Sequence, residues 1–365
     1  MAQSTEDERY RQSTQFRLWS YSPSQLADLR AKTNSLAKQN ISERLSSSVP
    51  PSSGASLPEF LTPAEEELLL RYYTVETLRA AEFCALPTSI RATAAIFLRR
   101  FFVTHSVMTY PPAKMLKTCV FFGCKTENYY PRVRSIAEKF PNTTGEEILA
   151  GEFLLCQGIR FAFDIRHPFG ALEGAMMQLR TLVDLNEERF QRVYTRAREI
   201  LKFSPIVTDA YFHYTPSQIM LAALLIADVE LFDRIIDASF AEHLMAGNRA
   251  NIAGNGDKTV ATIKECRDML LQEPPERMTE FWGTAEANNL VKPLNKKLRK
   301  CRDPDRFDLI GLHKKRLEFR EKEAGGAKTA AEDDGAVFGE ALKSDADREP
   351  KRRRVAGEDP FGPPL

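Results

Sequence analysis

Two charged residues stand at helical positions where the surrounding pattern predicts apolar ones. Lys125 lies in the last turn of a helix that Pro112 begins and that is otherwise mainly apolar. Glu152 lies in a second helix, whose other residues from Ile148 to Cys156 are apolar on every side. A helix that is apolar all round is usually central in its domain, and a carboxylate there needs a partner. That partner lies either inside the fold or on another protein, and the choice decides the function.

Each of the two charges also has a purely structural interpretation. A lysine in the last turn of a helix is commonly a solvated cation that the helix dipole favours. Glu152 can form an ion pair with Lys125 inside one fold, including in the free protein. The residue pattern by itself leaves these alternatives open.

The composition is typical of a soluble globular protein, because 43% of the residues are hydrophobic and 28% are charged. The length of 365 residues is enough for two domains and terminal tails. The formal net charge of +1 argues against a broad nucleic-acid-binding surface. No apolar run approaches the roughly 20 residues of a membrane span, and the polar N-terminus is unlike a signal peptide. We therefore expect a soluble intracellular protein that contacts neither nucleic acid nor membrane directly.

The residue types of catalytic and metal sites do not form recognisable motifs. Glycine-rich phosphate loops and kinase signatures are missing, and the five histidines show no ligand spacing with the six cysteines. The cysteines mostly lie in apolar helical runs, as reduced cysteines do in intracellular proteins. The stretch Asn251–Asp257 superficially resembles a calcium loop but lacks its alternating acidic ligands, so we interpret it as an inter-helix loop. We predict neither an enzyme nor a metal or cofactor site.

Helical periodicity dominates the chain and strand-like alternation is nearly absent, so the predicted fold class is all-α. Two runs of five helices form a weak internal repeat. The segments that begin at Pro112 and Pro216 are the third, central helices of the two runs, and Val229 occupies the place of Lys125 in the second. The predicted helices are 63–83, 87–103, one from 112, a short one from 131, 144–159, 168–184, 187–213, 216–227, 229–245 and 257–272.

The N-terminal region is predicted to be a separate helix. Residues 1–9 are expected to be disordered, and residues 10–45 hold a helix with Ser22 as N-cap and Pro23 in the first position. Residues 46–57 read as a Ser/Pro-rich flexible linker. The apolar stripe of the helix is Leu26, Leu29, Leu36 and Ile41, and the residues expected to anchor it on the bundles are Phe16, Trp19, Leu26 and Leu29.

The remaining boundaries place one bundle at 58–163 and the other at 164–274. Residues 275–323 are a lysine-rich amphipathic helical segment with an apolar stripe at Leu290, Leu294 and Leu298. A helix with such a stripe needs a packing partner, so we expect the two terminal segments to meet beside the first bundle. Residues 324–365 are predicted to be a disordered tail. Its cluster Lys351, Arg352, Arg353 and Arg354 is a candidate nuclear-localisation signal or, alternatively, an ordinary solvated basic stretch.

Three blocks of sequence point to a known family. They are Ser13-Thr14-Gln15-Phe16-Arg17-Leu18-Trp19; Ser106-Val107-Met108-Thr109-Tyr110 leading into Met115-Leu116-Lys117-Thr118-Cys119; and Leu201 to Gln218, with Thr208-Asp209-Ala210-Tyr211 and Tyr214-Thr215-Pro216-Ser217-Gln218. With these blocks the chain resembles the cyclin family, and within it the cyclin H group. The first helical run is similar to the first cyclin box, with Lys125 closing helix 3 and Glu152 inside helix 5.

The resemblance implies two tandem five-helix cyclin boxes flanked by N-terminal and C-terminal helices. It implies a non-catalytic nuclear subunit that activates a cyclin-dependent kinase of the CDK-activating type. That kinase acts with a RING-finger assembly factor in the transcription factor TFIIH and phosphorylates the C-terminal repeats of RNA polymerase II. The resemblance also implies that Lys125, Glu152, Phe121 and Phe122 contact the kinase.

Two other interpretations remain. A DNA-binding protein with two cyclin-type repeats, resembling TFIIB, would bring zinc-ribbon cysteine pairs and a basic second repeat, neither of which the sequence contains. A cyclin C-like subunit of the Mediator kinase shares the cyclin boxes and differs in the complex that it joins.

Overall fold

The described residues of the computed structural model are 6–48, 57–182, 186–245 and 252–327, and over these ranges the regular structure is α-helical without a β-strand. The predicted all-α class is thereby confirmed. The chain divides into two units, Met1–Arg316 and Leu317–Leu365. Both helical bundles lie within the first unit.

The first bundle is built around the predicted central helix. Its helices are α4 (Pro63–Phe83), α5 (Thr88–Thr104), α6 (Pro112–Thr126), α7 (Val133–Ala137), α8 (Gly145–Ala150) and α9 (Glu152–Gly158), preceded by α1 (Glu6–Gln12), α2 (Thr14–Trp19) and α3 (Pro23–Ser48). α6 packs against α4, α5, α8 and α9. α4 begins with a capping box, in which Thr62 and Glu65 each bond the other's backbone N–H.

The predicted fifth helix is divided at Gly151, so Glu152 is the first residue of α9 rather than an interior residue. The backbone of Gly151 lies against α6, where a Cβ atom would stand 2.6 Å from Oγ1 of Thr118. The expectation of a helix buried on all sides was also wrong. Leu149 and Phe153 are 38% and 49% exposed, so α8 and α9 present an apolar face to solvent.

The second bundle repeats the architecture. Its helices are α10 (Phe169–Leu182), α11 (Glu187–Val207), α12 (Ala210–His213), α13 (Pro216–Ala227), α14 (Val229–Met245) and α15 (Ile252–Leu270). α13 packs against α10, α11, α14 and α15 and begins with a capping box formed by Thr215 and Gln218. Two predictions need correction. The helix expected over 187–213 is interrupted at Thr208 and Asp209, and residues 252–257 are helical rather than an inter-helix loop.

The N-terminal helix is part of the folded unit. Ser22 caps α3 as predicted, because its Oγ accepts from the N–H of Gln25 at 3.2 Å. The linker prediction was wrong at its start, since α3 continues to Ser48, and residues 6–9, expected to be disordered, lie in α1. Leu36 is 50% exposed and does not belong to the buried stripe. The buried positions of α3 are instead Leu26, Asn34, Ala37 and Ile41.

The C-terminal segment forms α16 (Arg277–Glu280), α17 (Ala285–Cys301) and α18 (Leu309–Ala327). α17 buries Ala287, Val291, Leu298 and Cys301, whereas Leu290, predicted to be in its stripe, is 46% exposed. Asp303, just after α17, pairs with Arg44 of α3 and donates its N–H to the carbonyl of Met108 at 2.8 Å. The terminal segments therefore meet beside the first bundle, as predicted.

Candidate functional site

Lys125 and Glu152 form an ion pair at the surface of the first bundle. Nζ of Lys125 lies 2.6 Å from Oε1 of Glu152, and the two side chains are 37% and 20% exposed. Lys125 stands in the last turn of α6, and Glu152 in the first turn of α9, where the helix dipoles favour these signs of charge. The pair thus bridges two helices while both groups remain within reach of an external partner.

The two phenylalanines before Lys125 have different roles. Phe121 is 4% exposed and packs among Ile136, Ala137 and Ile148, so a direct contact of this side chain with a partner, which we expected, is not available. Its ring supports Lys125, whose Nζ lies 4.6 Å from the ring centroid. Phe122 is half-buried.

Partly exposed apolar side chains occur on the helices that carry the ion pair and in the turn after α9. On α8 and α9, Leu149 and Phe153 flank Glu152 at the spacing of one helical face. On α6, Phe122 stands three residues before Lys125, and its ring lies 5.4 Å from that of Phe163, which is 37% exposed and lies 6.2 Å from the ring of Phe161. An apolar patch around a charged pair is typical of a protein-binding surface.

The backbone that carries Phe161 is strained. Arg160 and Phe161 have φ values of 55° and 54°, in the left-handed region that bulky residues rarely adopt. This conformation ends α9 and leaves Phe161 58% exposed while the next residue, Ala162, is buried. Strain of this kind persists where the surrounding structure holds it, often at binding sites.

Part of that support comes from Trp19, which is fully buried. The guanidinium carbons of Arg160 and Arg100 each lie 5.3 Å from the Trp19 ring. Burial lowers the pKa of Arg100 to about 10, and its Nη1 donates to the carbonyl of Ala162 at 3.2 Å. The N-terminal segment therefore reaches under the strained turn of the candidate surface.

The other three predicted anchors differ in burial. Leu26 is buried, while Leu29 and Phe16 are partly buried, with Phe16 packed edge-on against Tyr10. The basic cluster Lys351, Arg352, Arg353 and Arg354 lies outside the described residues.

Four exposed apolar residues of this surface were not predicted as site residues: Leu149, Phe153, Phe161 and Phe163. The first two form the spacing of one helical face with Glu152, a pattern that we interpreted as burial on every side. Phe161 and Phe163 fall between the helices predicted over 144–159 and 168–184, and no role was predicted for them. In both segments the sequence shows that the residues are apolar, but it does not show which of them face solvent.

Neither metal sites nor membrane spans occur within the part of the chain that the structure describes. There, no cluster of three or more His, Cys, Asp or Glu side chains is arranged to hold a metal ion. None of the helices there is long and apolar enough to cross a bilayer.

Comparison with known proteins decides the family. The family model for the cyclin C-terminal domain matches residues 167–271. Cyclin mcs2 of Schizosaccharomyces pombe is 31% identical over 222 residues, which cover 60% of this chain and 69% of that protein. The chain belongs to the cyclin family.

Two further matches place this cyclin more closely. Cyclin CCL1 of Saccharomyces cerevisiae is 33% identical over 265 residues, which are 69% of this chain and 65%, just under two thirds, of that relative. A chain in the solved CAK complex of Chaetomium thermophilum bound to ATP-γ-S is 49% identical, with a TM-score of 0.80, and the match covers 91% of this cyclin and 100% of that chain. The predicted similarity to the cyclin H group is confirmed.

Proposed function

We propose that this cyclin is a non-catalytic regulatory subunit that binds and activates a cyclin-dependent kinase of the CDK-activating, TFIIH type. The observation that carries the proposal is the Lys125–Glu152 pair, set in an exposed apolar surface of the first cyclin box. The similarity over 91% of the chain to a subunit of a CAK complex supports the class of kinase. The kinase supplies the catalytic residues, and the reaction served is phosphorylation of the C-terminal repeats of RNA polymerase II.

Activation follows from binding one conformation of the kinase. An active kinase needs its regulatory helix packed inward, so that a glutamate on that helix meets the ATP-binding lysine. A rigid cyclin surface that binds only this position shifts the kinase population toward the active state by its difference in affinity. Lys125 donates to carbonyls at one end of the kinase segment, and Glu152 accepts from its backbone N–H groups. In the free cyclin the two charges pair with each other, which holds both side chains at the surface.

The further partners belong to the same proposal. A RING-finger assembly factor joins the cyclin and the kinase, and this factor links the module to the TFIIH core in the nucleus. The two terminal segments, which meet beside the first bundle at Arg44 and Asp303, offer that factor a surface distinct from the kinase site.

The decisive experiment compares removal of the charges with their exchange. Lys125→Ala and Glu152→Ala should each weaken kinase binding by roughly 2–5 kcal/mol, measured by titration calorimetry, with little change in melting temperature. The double variant Lys125→Glu/Glu152→Lys restores an internal ion pair but presents reversed charges to the kinase, so it should remain defective. Lys114→Ala is the matched control, because Lys114 forms a similar bridge from α6 to Glu147 on α8 at 3.5 Å. Kinase binding of wild-type strength in the exchanged variant would show that the pair serves only the fold.

Co-purification separates this proposal from the alternatives. The tagged chain, isolated from its own cell extract, should retain TFIIH subunits. Mediator subunits in their place would favour the cyclin C-like interpretation. Salt-dependent DNA binding by the purified chain would favour the TFIIB-like one.

A further inference from the structure

A continuous chain of hydrogen bonds connects the second bundle with the end of α6. Nδ1 of His167 lies 2.7 Å from the hydroxyl of Tyr211 on α12. Nε2 of His167 lies 2.8 Å from Oγ1 of Thr93 on α5. The same Thr93 oxygen lies 2.7 Å from Oε1 of Glu127. In the sequence, Tyr211 and His167 are 44 residues apart, His167 and Thr93 are 74 apart, and Thr93 and Glu127 are 34 apart. The fold therefore brings these side chains together.

Only one arrangement of protons satisfies every bond in this chain. A carboxylate accepts hydrogen bonds and does not donate, so the Thr93 hydroxyl donates to Glu127. Thr93 then accepts from N–H at Nε2 of His167, which leaves Nδ1 to accept from the Tyr211 hydroxyl. Burial and the charge of Arg100 lower the pKa of His167 to about 3, so the imidazole is in the neutral form that this arrangement requires.

Glu127 is the C-cap of α6 and therefore controls the last turn, in which Lys125 stands. The backbone N–H of Glu127 donates to the carbonyl of Gly123 at 3.2 Å, and the N–H of Asn128 donates to the carbonyl of Lys125 at 3.3 Å. The Glu127 carboxylate is also the nearest acidic neighbour of Lys125 in the sequence. In the structure Thr93 bonds this carboxylate, and Lys125 bonds Glu152.

We propose that Thr93 and His167 are positioning residues for the kinase-binding surface, which tie the C-terminal turn of α6, and with it Lys125, to Tyr211 of the second cyclin box. This inference rests on the proposed function. Thr93 is fully buried and Tyr211 nearly so. Neither therefore touches a partner; both act through Glu127. The second box, in which Val229 occupies the place of Lys125 in the sequence, thereby contributes to the orientation of the pair in the first.

Two variants of Thr93 separate the hydroxyl from the shape of the side chain. Thr93→Val keeps the shape and removes the hydroxyl, and it should lower kinase affinity about tenfold, as loss of one hydrogen bond to a charged group does. Thr93→Ser keeps the hydroxyl and should retain affinity within about twofold. Tyr211→Phe, at the far end of the chain of bonds, should lower kinase affinity in the same direction as Thr93→Val. Equal losses in the Val and Ser variants, or wild-type affinity in both Thr93→Val and Tyr211→Phe, would overturn the inference.

A double-mutant cycle tests whether the effect passes through Lys125. In a Lys125→Ala background, Thr93→Val should have no further effect on kinase affinity. An undiminished tenfold loss in that background overturns the positioning role and leaves the proposed function intact. If Lys125→Ala alone leaves kinase affinity unchanged, the proposed function fails and this inference with it. Melting curves of all variants establish that folded proteins are being compared.

Discussion

Arg30, on the N-terminal helix, and Asp209, in the turn between α11 and α12 of the second bundle, form an ion pair through two hydrogen bonds of 2.8 and 2.7 Å. Arg99 of α5 reaches the same carboxylate at 2.6 Å, and its side chain has no exposed area. One carboxylate therefore holds guanidinium groups from two other parts of the chain. The N-terminal segment, the first bundle and the second bundle are joined at this point.

We expect Asp209→Asn to lower the free energy of unfolding by about 3–5 kcal/mol, because it removes the closer of the two carboxylates, Asp209 and Glu67, that face the buried guanidinium of Arg99. Chemical denaturation measures the change. Asp233→Asn is the matched control, since Asp233 is exposed, and its effect should stay within about 0.5 kcal/mol. Equal denaturation midpoints for the two variants would contradict the role of Asp209.

The same carboxylate predicts an acid-sensitive stability. Burial would raise the pKa of Asp209, but the hydrogen bond from Arg30 and the charges of Arg99 and Arg30 outweigh burial and hold the pKa well below its ordinary 3.8. The stabilisation is therefore present above about pH 4 and is lost as the pH falls further, because the unfolded chain binds the proton first. The gap in unfolding free energy between the wild type and Asp209→Asn should narrow below about pH 4. If the difference in unfolding free energy stays constant down to about pH 2.5, the pKa of Asp209 is not lowered in the folded protein.

Two leucines on α3 should respond differently to truncation. Leu26 is 1% exposed and Leu36 is 50% exposed. Leu26→Ala should cost about 2–5 kcal/mol of stability, while Leu36→Ala should cost much less. We also expect a chain that starts at Leu57 to be strongly destabilised, because Trp19, Leu26 and Ile41 belong to the buried core. A Leu57 chain that melts like the full-length protein would show that the bundles need little from the N-terminal segment.

Gly151 allows α8 and α9 to approach α6. Gly151→Ala should destabilise the protein by about 1–3 kcal/mol, because the new methyl group meets Thr118. Gly174→Ala is the matched control. Nothing lies within 4 Å of a Cβ at that helical position, so alanine should stabilise the protein by about 0.5–1 kcal/mol. Thermal melts of both variants give the comparison. If Gly151→Ala melts at the wild-type temperature, α8 and α9 move away from α6 without loss of stability.

Phe153 should contribute directly to kinase binding. It is 49% exposed, and the guanidinium carbon of Arg316 lies 5.5 Å from its ring centroid. Phe153→Ala should weaken kinase binding at least about tenfold, as loss of an aromatic anchor does, with little change in melting temperature. Met177→Ala, at a side chain 73% exposed on α10 of the second bundle, serves as the control and should bind normally. If the two variants bind the kinase equally well, the kinase surface does not extend to Phe153.

Local signals in the sequence were sufficient for the helices around the site. Ser22 caps α3 as predicted, and the helices predicted over 63–83 and 216–227 begin at Pro63 and Pro216, since such starts depend only on residues within one turn. The central positions of the helices from Pro112 and Pro216 followed from periodicity. The positions of Lys125 and Glu152 near one another followed from the resemblance rather than from spacing.

The remaining features depend on contacts between distant parts of the chain. Phe121 and Phe122 are neighbours in one helix, and the sequence does not say which of them faces the core. The role of Asp209 could not be predicted, because its partner Arg30 lies 179 residues away. Likewise, the bonds of His167 to Thr93 and Tyr211 join elements that share no local pattern.

The ion pairs of Asp209 also bear on biosynthesis. The chain is made from its N-terminus, and Asp209 follows Arg99 by 110 residues. Of the two carboxylates that face Arg30 and Arg99 in the folded protein, Glu67 is translated before this interval and Asp209 only at its end. A polypeptide released in this interval, by a premature stop codon for example, lacks the carboxylate that lies nearest to both guanidinium groups, and we expect it to be a substrate for chaperones and proteases. The charge balance at this contact is therefore complete only after that part of the second cyclin box has been synthesised.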